Sequence, residues 1–424
     1  MAKQQGATAA EAVVSAEDGF NVNVRMGEIE TVEHHRDKEV AITVYVGQCS
    51  GMASTADFSD EALQMTVAKA INIAKYTHED PFAGLADAEL MAHHFPDLNL
   101  YHPWSITPEK ATELAIECEA LGRAFDKRIT NSDGVSISSH ETLHAYGNTN
   151  DFIGYYPSTQ HQISCVLIAN DGHEMQRSYD YSITTDAHDL EHIEYLAKNA
   201  AKRTVSRLGA KRLTTRRCPV IFHAEIARGL LGNFVSAISG GNLYRNSSFL
   251  VNKLHQPVFA DFIHIQERPH IPKAIASAPF DEEGVLTRTK DVVRDGVLQT
   301  YILDSYSARK LKMQTTGNAG GVHNLIIANQ GIDLDGLLKQ MGTGLLVTEL
   351  MGQGANIVTG DYSRGAFGYW VENGVIQGPV QEITIAGNLA DMYRNIVAVA
   401  NDIDHRGSVH TGSILIAEMM IAGQ

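Results

Sequence analysis

The segment 188–192, HDLEH, has the residue types and spacing of an inverted zinc-protease motif, HxxEH. On a helix, His188 and His192 would lie one turn apart and could ligate a metal ion, with Glu191 as the general base. The apolar residues of this segment and of the helical pattern that follows it predict a buried stripe, and that stripe lies on a different face of the helix from the two histidines. Because a catalytic zinc needs a sheltered pocket and a third protein ligand, we favour a solvent-facing first helical turn.

A second candidate lies in the segment 220–233, where a short apolar run meets a helical pattern. An HExxxH motif holds zinc with two neutral imidazoles and uses its glutamate to take a proton from the metal-bound water. The segment resembles the HExxxH region of a known peptidase family, the TldD/TldE (PmbA) family, and in that register His223 matches the first histidine, Ala224 replaces the glutamate and Arg228 replaces the second histidine. A guanidinium about 4 Å from a divalent ion would cost on the order of 8 kcal/mol at an effective dielectric constant of 20. We therefore predict no catalytic residue and no metal site in this chain.

The segment 220–233 resembles the strand-to-helix region of the TldD/TldE (PmbA) family of bacterial and archaeal peptidase proteins. The catalytic member of that family, TldD, carries HExxxH followed by Gly-Leu-x-Gly. Further blocks resemble the TldE (PmbA) branch, and the similarity covers nearly the whole chain. These blocks are 239–244, 300–304, 316–319, 360–366 and the stretch from 387–389 to 401–402.

The third zinc ligand that the resemblance implies, a cysteine near the C-terminus of TldD, has no counterpart here. All four cysteines precede residue 219, and the matching region, 404–410, reads DHRGSVH. One alternative stays open at this point, since His405 or His410 could join His223 in a makeshift site. Widely spaced cysteines also argue against a disulfide framework and a thiolate zinc knuckle.

The resemblance implies that this chain is the zinc-free subunit of a heteromeric TldD/TldE-type metalloprotease, with no cofactor of its own and the zinc in a TldD-like partner. The pair would enclose a chamber that admits unfolded or short polypeptides, including leader peptides of peptide antibiotics and an antitoxin. The resemblance also implies a connection with DNA gyrase inhibitors. Two rivals remain: a self-sufficient metalloprotease using the HxxEH residues, and a homodimeric peptide-binding scaffold.

A chamber for extended peptides could add them as a strand to an exposed sheet edge, where main-chain hydrogen bonds give affinity without strong sequence preference. The C-terminal half could supply that edge. We take four residues near its glycine-rich segments as candidates for lining a peptide path or a subunit contact. They are Asn318, His323, Tyr362 and Arg364.

Composition excludes several other functions. The formal net charge of −16 would repel a phosphate backbone, so nucleic acid is a poor candidate partner. The one dense basic run, 198–217, alternates with apolar positions at helical spacing and predicts a solvated helix face. No apolar run approaches a membrane span, and the first residues do not resemble a signal peptide, so we expect a cytoplasmic protein.

The elements around these residues predict an α+β fold with two domains. Residues 1–213 would form a mixed α/β domain of hairpin, helices and sheet, and residues 214–424 a larger β-rich domain that carries the degenerate zinc-protease helix. Period-2 and period-3.6 patterns predict the individual elements. These are a hairpin over 20–49 with its turn at 36–39, strands over 135–156 and 162–169, helices over 60–74, 108–127, 186–208 and 224–238, and hairpin turns at 294–296 and 372–374.

Overall fold

The first half of the chain is built on one antiparallel sheet of six strands. The computed structural model describes residues 1–423. The spatial order of the strands is β3-β2-β1-β4-β5-β6, so β6 lies at one edge. The strands are β1 (Ala9–Arg25), β2 (Glu28–Val46), β3 (Cys49–Thr55), β4 (Ile129–Asn148), β5 (Phe152–Asn170) and β6 (Met175–Thr184).

Three helices cover this sheet, in two separate cores. The helices are α1 (Asp60–Tyr76), α2 (Pro108–Ala124) and α3 (Ile193–Ser206). Ser59 and Thr107 begin the first two by accepting a backbone hydrogen bond with their hydroxyls. Helices α2 and α3 pack together on β1, β4 and β5, whereas α1 packs on β2 and β3. The close approach of α1 requires Gly51, since a Cβ there would lie 2.2 Å from the carbonyl oxygen of Ala70.

The first hairpin turns at a different place from the one the charge pattern predicts. Its turn is Met26-Gly27, where both residues have positive φ, and the charged stretch 36–39 lies in the middle of β2. The prediction was wrong because these charges sit on an exposed ribbon, where Arg36 lies opposite Asp18 with 3.5 Å between Nε and Oδ2. The predicted strand 135–156 is likewise divided, by a turn at 149–151 between β4 and β5.

The predicted helix over 186–208 begins later than the sequence suggested. Residues Ala187–Asp189 form a 3-10 turn, and α3 starts only at Ile193. The Asp186 carboxylate accepts from the backbone N–H of His188 and so caps the short turn. Leu190 then adopts an extended conformation and packs against the core beneath α2 and α3.

The second half of the chain contains two further sheets and five helices within residues 214–423. The strands are β7 (Arg216–Phe222), β8 (Ile265–Glu267), β9 (Lys290–Arg294), β10 (Val297–Leu298), β11 (Leu325–Ile327), β12 (Gly344–Met351), β13 (Asp361–Glu372), β14 (Val375–Asn388), β15 (Ile396–Val399), β16 (Val409–His410) and β17 (Ile414–Ala422). The helices are α4 (Ala224–Ala237), α5 (Gly240–Tyr244), α6 (Ser305–Lys310), α7 (Leu334–Met341) and α8 (Leu389–Arg394).

The larger of these sheets closes on itself. Its order is β14-β13-β12-β7-β17-β15, and β14 also pairs with β17, so five strands form a barrel. The smaller sheet, β10-β9-β8-β11-β16, is made of short strands. The fold is α+β, as predicted.

Both predicted hairpin turns of this half are confirmed. Asn373-Gly374 joins β13 to β14 and Asp295-Gly296 joins β9 to β10, with positive φ at all four residues. Helix α4 also agrees with its prediction within one residue. None of the helices in residues 1–423 has the length and apolar character needed to cross a bilayer.

Candidate functional site

The degenerate zinc-protease motif lies where barrel strand β7 passes into helix α4. His223 is the residue before the helix, with extended φ and ψ, and its backbone N–H donates to the Val347 carbonyl at 3.0 Å. Ala224 opens the helix, buried, and its N–H donates to the Ser413 hydroxyl at 3.0 Å. Strand β12 and the residue just before β17 thus fix the start of the helix. Arg228 follows one helical turn later, as the spacing predicted.

The His223 imidazole lies between two clefts. One cleft of about 580 Å³ runs along β6, the start of α3 and the loop 402–406. The other, of about 230 Å³, lies between β6, α3 and strands of the barrel. Burial lowers the pKa of His223 below its usual value of 6.5, so the imidazole is neutral at pH 7. Within the described residues, its ring nitrogens have no hydrogen-bond partner.

Three arginines and three carboxylates meet beside these clefts, and all of them except Arg228 line one or both. Arg203, on α3, makes a bidentate contact with Glu225, on α4, at 2.6 and 3.1 Å. Such a planar pair is stronger than a single charged hydrogen bond. We call the group the arginine cluster, and its members are Asp180, Arg203, Glu225, Arg228, Asp404 and Arg406.

Arg406 is the centre of the arginine cluster. Its guanidinium donates to Glu225 at 2.7 Å, to Asp404 at 3.0 Å and to the Tyr181 carbonyl at 2.9 Å. The same guanidinium lies 4.2 Å from the centroid of the Tyr181 ring, a cation–π contact. A single side chain from the C-terminal loop therefore joins β6 to α4.

Arg228 belongs to the same network. Its Nε lies 3.4 Å from Asp404 Oδ2, and its Nη2 donates to the Tyr181 hydroxyl at 3.1 Å. Nη1 donates to the backbone carbonyl of Arg406. Nε also donates to the backbone carbonyl of Glu225 at 3.3 Å, so the side chain at the position of the second zinc ligand is a fixed cation with four partners.

Electrostatics in the arginine cluster favour the ionised carboxylates. Burial alone would raise the pKa of Glu225, but hydrogen bonds from Arg203 and Arg406 lower it to about 2. Burial would likewise raise the pKa of Asp404, and its contacts with Arg406 and Arg228 lower it instead. With three guanidinium groups and three carboxylates, the cluster has no formal net charge.

The donor set around His223 does not fit a catalytic zinc ion. No group of three His, Cys, Asp or Glu side chains within residues 1–423 is arranged to hold a metal. Glu225 and Asp404 already accept from guanidinium groups, and Asp402 accepts from the backbone N–H and hydroxyl of Ser413. Arg228 adds a positive charge where a ligand is needed. His405 lines the larger cleft with His223, but its ring packs on His410, whose Nε2 is bonded to the Gly407 carbonyl at 2.9 Å.

The HxxEH segment lacks the helical geometry that its zinc hypothesis requires. His188 lies in the 3-10 turn and His192 is the residue before α3, so the two are not one turn apart on a helix. The His188 side chain is 95% exposed and contacts Asp186 at 3.0 Å. Glu191 is exposed as well. The helical prediction for this segment was wrong because Asp186 caps a separate short turn.

The four candidates for a peptide path fall into two pairs. Asn318 and the backbone N–H of His323 both donate to the buried Glu267 carboxylate, at 2.8 and 2.7 Å. Tyr362 is buried in the barrel core on β13, and Arg364 lies two residues further along the same strand. The structure brings neither pair to the clefts beside His223, and a role in a peptide path stays a prediction.

Sequence reasoning missed most of the arginine cluster. The basic run 198–217 was assigned to a solvated face, yet Arg203 is only 33% exposed and points to Glu225. The alternation along β6 would have placed Asp180 on the solvent face, because its neighbours Tyr179 and Tyr181 are the more apolar residues, yet Asp180 is buried and both tyrosines are more exposed. No signal in the sequence paired Arg406 with residues about 180 to 226 positions earlier.

Comparison with known proteins identifies the family. Models of three PmbA/TldA metallopeptidase domains match this chain: domain 1 at residues 10–74, the central domain at 101–208 and the C-terminal domain at 215–423. The metalloprotease PmbA of Escherichia coli O157:H7 is 49% identical over 98% of this chain and 92% of its own length. The metalloprotease PmbA homolog of Haemophilus influenzae is 49% identical over 100% of this chain and 94% of its length.

Solved structures agree in fold. A proposed modulator of DNA gyrase from Bacteroides thetaiotaomicron has a TM-score of 0.94 and 27% identity, covering 100% of this chain and 96% of its own. TldE from Thermococcus kodakarensis has a TM-score of 0.88 at 18% identity, covering 99% of this chain and 98% of its own, which is a likeness of fold alone. Both likenesses extend over both halves of the chain.

Proposed function

The chain belongs to the PmbA/TldD family of metallopeptidases, and from this premise we propose that it is the zinc-free subunit of a heteromeric protease. A second, TldD-like chain supplies the zinc centre. The observation that carries the proposal is Arg228, a fixed cation in the arginine cluster at the position of a zinc ligand. Ala224 supports it, because a methyl group cannot take a proton from water.

The substrate of the assembly is a short or unfolded polypeptide in the cytoplasm. The cleft of about 580 Å³ beside His223 supports this assignment, since it lies in the range of pockets that bury a ligand. Its walls carry both carboxylates and guanidinium groups, which suits the polar main chain of a peptide. This subunit forms one wall of the chamber and performs no bond cleavage itself.

The experiment that tests the proposal is reconstitution. The purified chain, a TldD-like chain and their equimolar mixture are each assayed on an unfolded casein peptide, with and without a chelator. We expect no cleavage by this chain alone, chelator-sensitive cleavage by the mixture, and co-elution of the two chains in fixed stoichiometry. Chelator-sensitive cleavage by this chain alone, or stoichiometric zinc that is lost in His223→Ala, would overturn the proposal.

A homodimeric peptide-binding scaffold is the second candidate, and the same purification separates it. That alternative predicts a stable dimer of this chain that binds unfolded peptide and ignores the TldD-like chain. The HxxEH alternative has no helical metal site to support it, as described above.

A further inference from the structure

The smaller cleft beside His223 has the dimensions of a pocket for one side chain. Its volume is about 230 Å³, below the range of pockets that hold whole drug-sized ligands. Six of its thirteen lining residues are apolar or aromatic and come from β6, α7 and the barrel. They are Tyr179, Leu334, Leu346, Phe367, Tyr369 and Ile376.

The pocket is preformed rather than collapsible. The Tyr369 hydroxyl lies 2.6 Å from the Ser206 hydroxyl, which fixes the ring. The Arg207 guanidinium lies 3.7 Å from the centroid of the Phe367 ring and also pairs with Glu349. These contacts hold the aromatic walls in place without a ligand, so binding costs little reorganisation.

The charges at the pocket are balanced. Arg207 pairs with Glu349, and Arg203 pairs with Glu225. A charged ligand would therefore meet no unpaired partner and would lose its hydration. A neutral ligand with an aromatic ring matches the wall, because ring–ring contacts add to the gain from buried apolar area.

Ser178 and Thr348 also line the pocket with hydroxyl-bearing side chains, and His223 supplies its one uncharged ring with hydrogen-bonding nitrogens. Its imidazole lines the pocket, is neutral at pH 7 because burial lowers its pKa, and has no hydrogen-bond partner among the described residues. A neutral imidazole offers one donor and one acceptor. A hydroxyl on the ligand can form a hydrogen bond with either ring nitrogen. A hydrocarbon ligand leaves both nitrogens without a hydrogen bond.

We propose that this pocket binds the phenolic side chain of a tyrosine in an extended polypeptide, with the tyrosine hydroxyl bonded to the His223 imidazole. The proposal rests on the proposed function only for the polypeptide nature of the ligand, because all residues of the pocket belong to this chain. The ligand is held by its side chain rather than as an added strand. The carbonyls of Tyr179 and Tyr181 on edge strand β6 already accept from Arg203 and Arg406.

The test measures binding of N-acetyl-tyrosinamide and N-acetyl-phenylalaninamide to the isolated full chain by ligand-observed NMR titration at pH 7.5. We expect the tyrosine compound to bind about five-fold more tightly, the effect of one net hydrogen bond. In His223→Leu the preference for the tyrosine compound should be lost, with binding of the phenylalanine compound retained. Equal affinities in the wild type, or a preference that persists in His223→Leu, would overturn the proposal.

A second pair of variants keeps the test independent of the His223 substitution. Ile376 is 45% exposed on the wall, so Ile376→Trp should fill the pocket and abolish binding of both compounds without unfolding the chain. Val375, its 60% exposed neighbour, does not line the pocket, and Val375→Trp should bind both compounds as the wild type does. Equal effects of the two variants would overturn the proposal.

The binding and reconstitution results separate the two proposals. Tyrosine-selective binding without proteolysis in the mixture would reject the heteromeric protease and keep the pocket. Proteolysis by the mixture without tyrosine-selective binding would reject the proposal of a tyrosine pocket and support that of a heteromeric protease.

Discussion

Replacing Glu225 with glutamine should destabilise the folded chain in a pH-dependent way. The pKa of Glu225 is lowered from 4.5 to about 2 by its arginine partners against the opposing effect of burial. At 1.36 kcal/mol per pKa unit, the ionised carboxylate contributes about 3 kcal/mol to the free energy of unfolding at pH 7. Because the folded-state pKa is depressed, this contribution is complete above pH 4.5 and is lost as the pH falls through 2.

The assay is urea denaturation of the wild type and Glu225→Gln at pH 7, 5 and 3. We expect the difference in unfolding free energy to be about 3 kcal/mol at pH 7 and less than half of that at pH 3. Glutamine keeps the size of the side chain and one acceptor oxygen, so the difference reports the charge. The two arginines left without this partner account for the loss.

The matched control is Glu349→Gln. Glu349 pairs with Arg207 at the rim of the same pocket, but its side chain is 44% exposed, whereas that of Glu225 is 14% exposed. An exposed pair contributes about 0.2–1 kcal/mol. Equal losses in the two variants, or a loss in Glu225→Gln that does not change with pH, would refute the electrostatic account of the arginine cluster.

Three further substitutions test electrostatics and packing outside the arginine cluster. Burial raises the pKa of Glu283 to about 7, so ionising this carboxyl group costs stability as the pH rises from 4.5 to 7. Glu283→Gln should therefore be more stable than the wild type at pH 8, by on the order of 3 kcal/mol, and as stable as the wild type at pH 4. Thermal denaturation at the two pH values measures the difference. Gly240→Ala would place a Cβ 2.1 Å from the Ser307 hydroxyl and should lower the free energy of unfolding by about 1–3 kcal/mol. In Gly241→Ala the new Cβ meets only the flexible Arg245 guanidinium, at 3.3 Å, so this variant should lower the melting temperature much less than Gly240→Ala does. If Glu283→Gln had the same dependence of stability on pH as the wild type, the account of Glu283 would be contradicted. Equal losses of stability in Gly240→Ala and Gly241→Ala would contradict the account of the close contact at Gly240.

Local chemistry explains which elements could be predicted from the sequence. The Asn373-Gly374 turn was predictable because positive φ at two successive residues is a property of those residues themselves. The turn at Met26-Gly27 was missed because a methionine gives no such signal and the charges at 36–39 imitate one. Closure of the barrel depends on β14 pairing with β17, which residue patterns do not encode.

The same limit applies to the site. His223, Ala224 and Arg228 were found because their spacing along one helix is short and fixed. Arg203 and Arg406 were missed because their roles depend on side chains from distant parts of the chain. Their half-buried guanidinium groups follow from the meeting of α3, α4 and the loop 402–406, which only the fold creates.

Charge balance links the changes in the motif to one another. Without the guanidinium groups, Asp180, Glu225 and Asp404 would place three partly buried negative charges beside α4, a costly arrangement. Arg228 pairs with Asp404, so restoring a histidine there would remove a cation from this balance as well as supply a ligand. Adding a glutamate at Ala224 would further increase the negative charge. Building a zinc site into this chain therefore requires a third ligand and a rearranged arginine cluster, not the two motif substitutions alone.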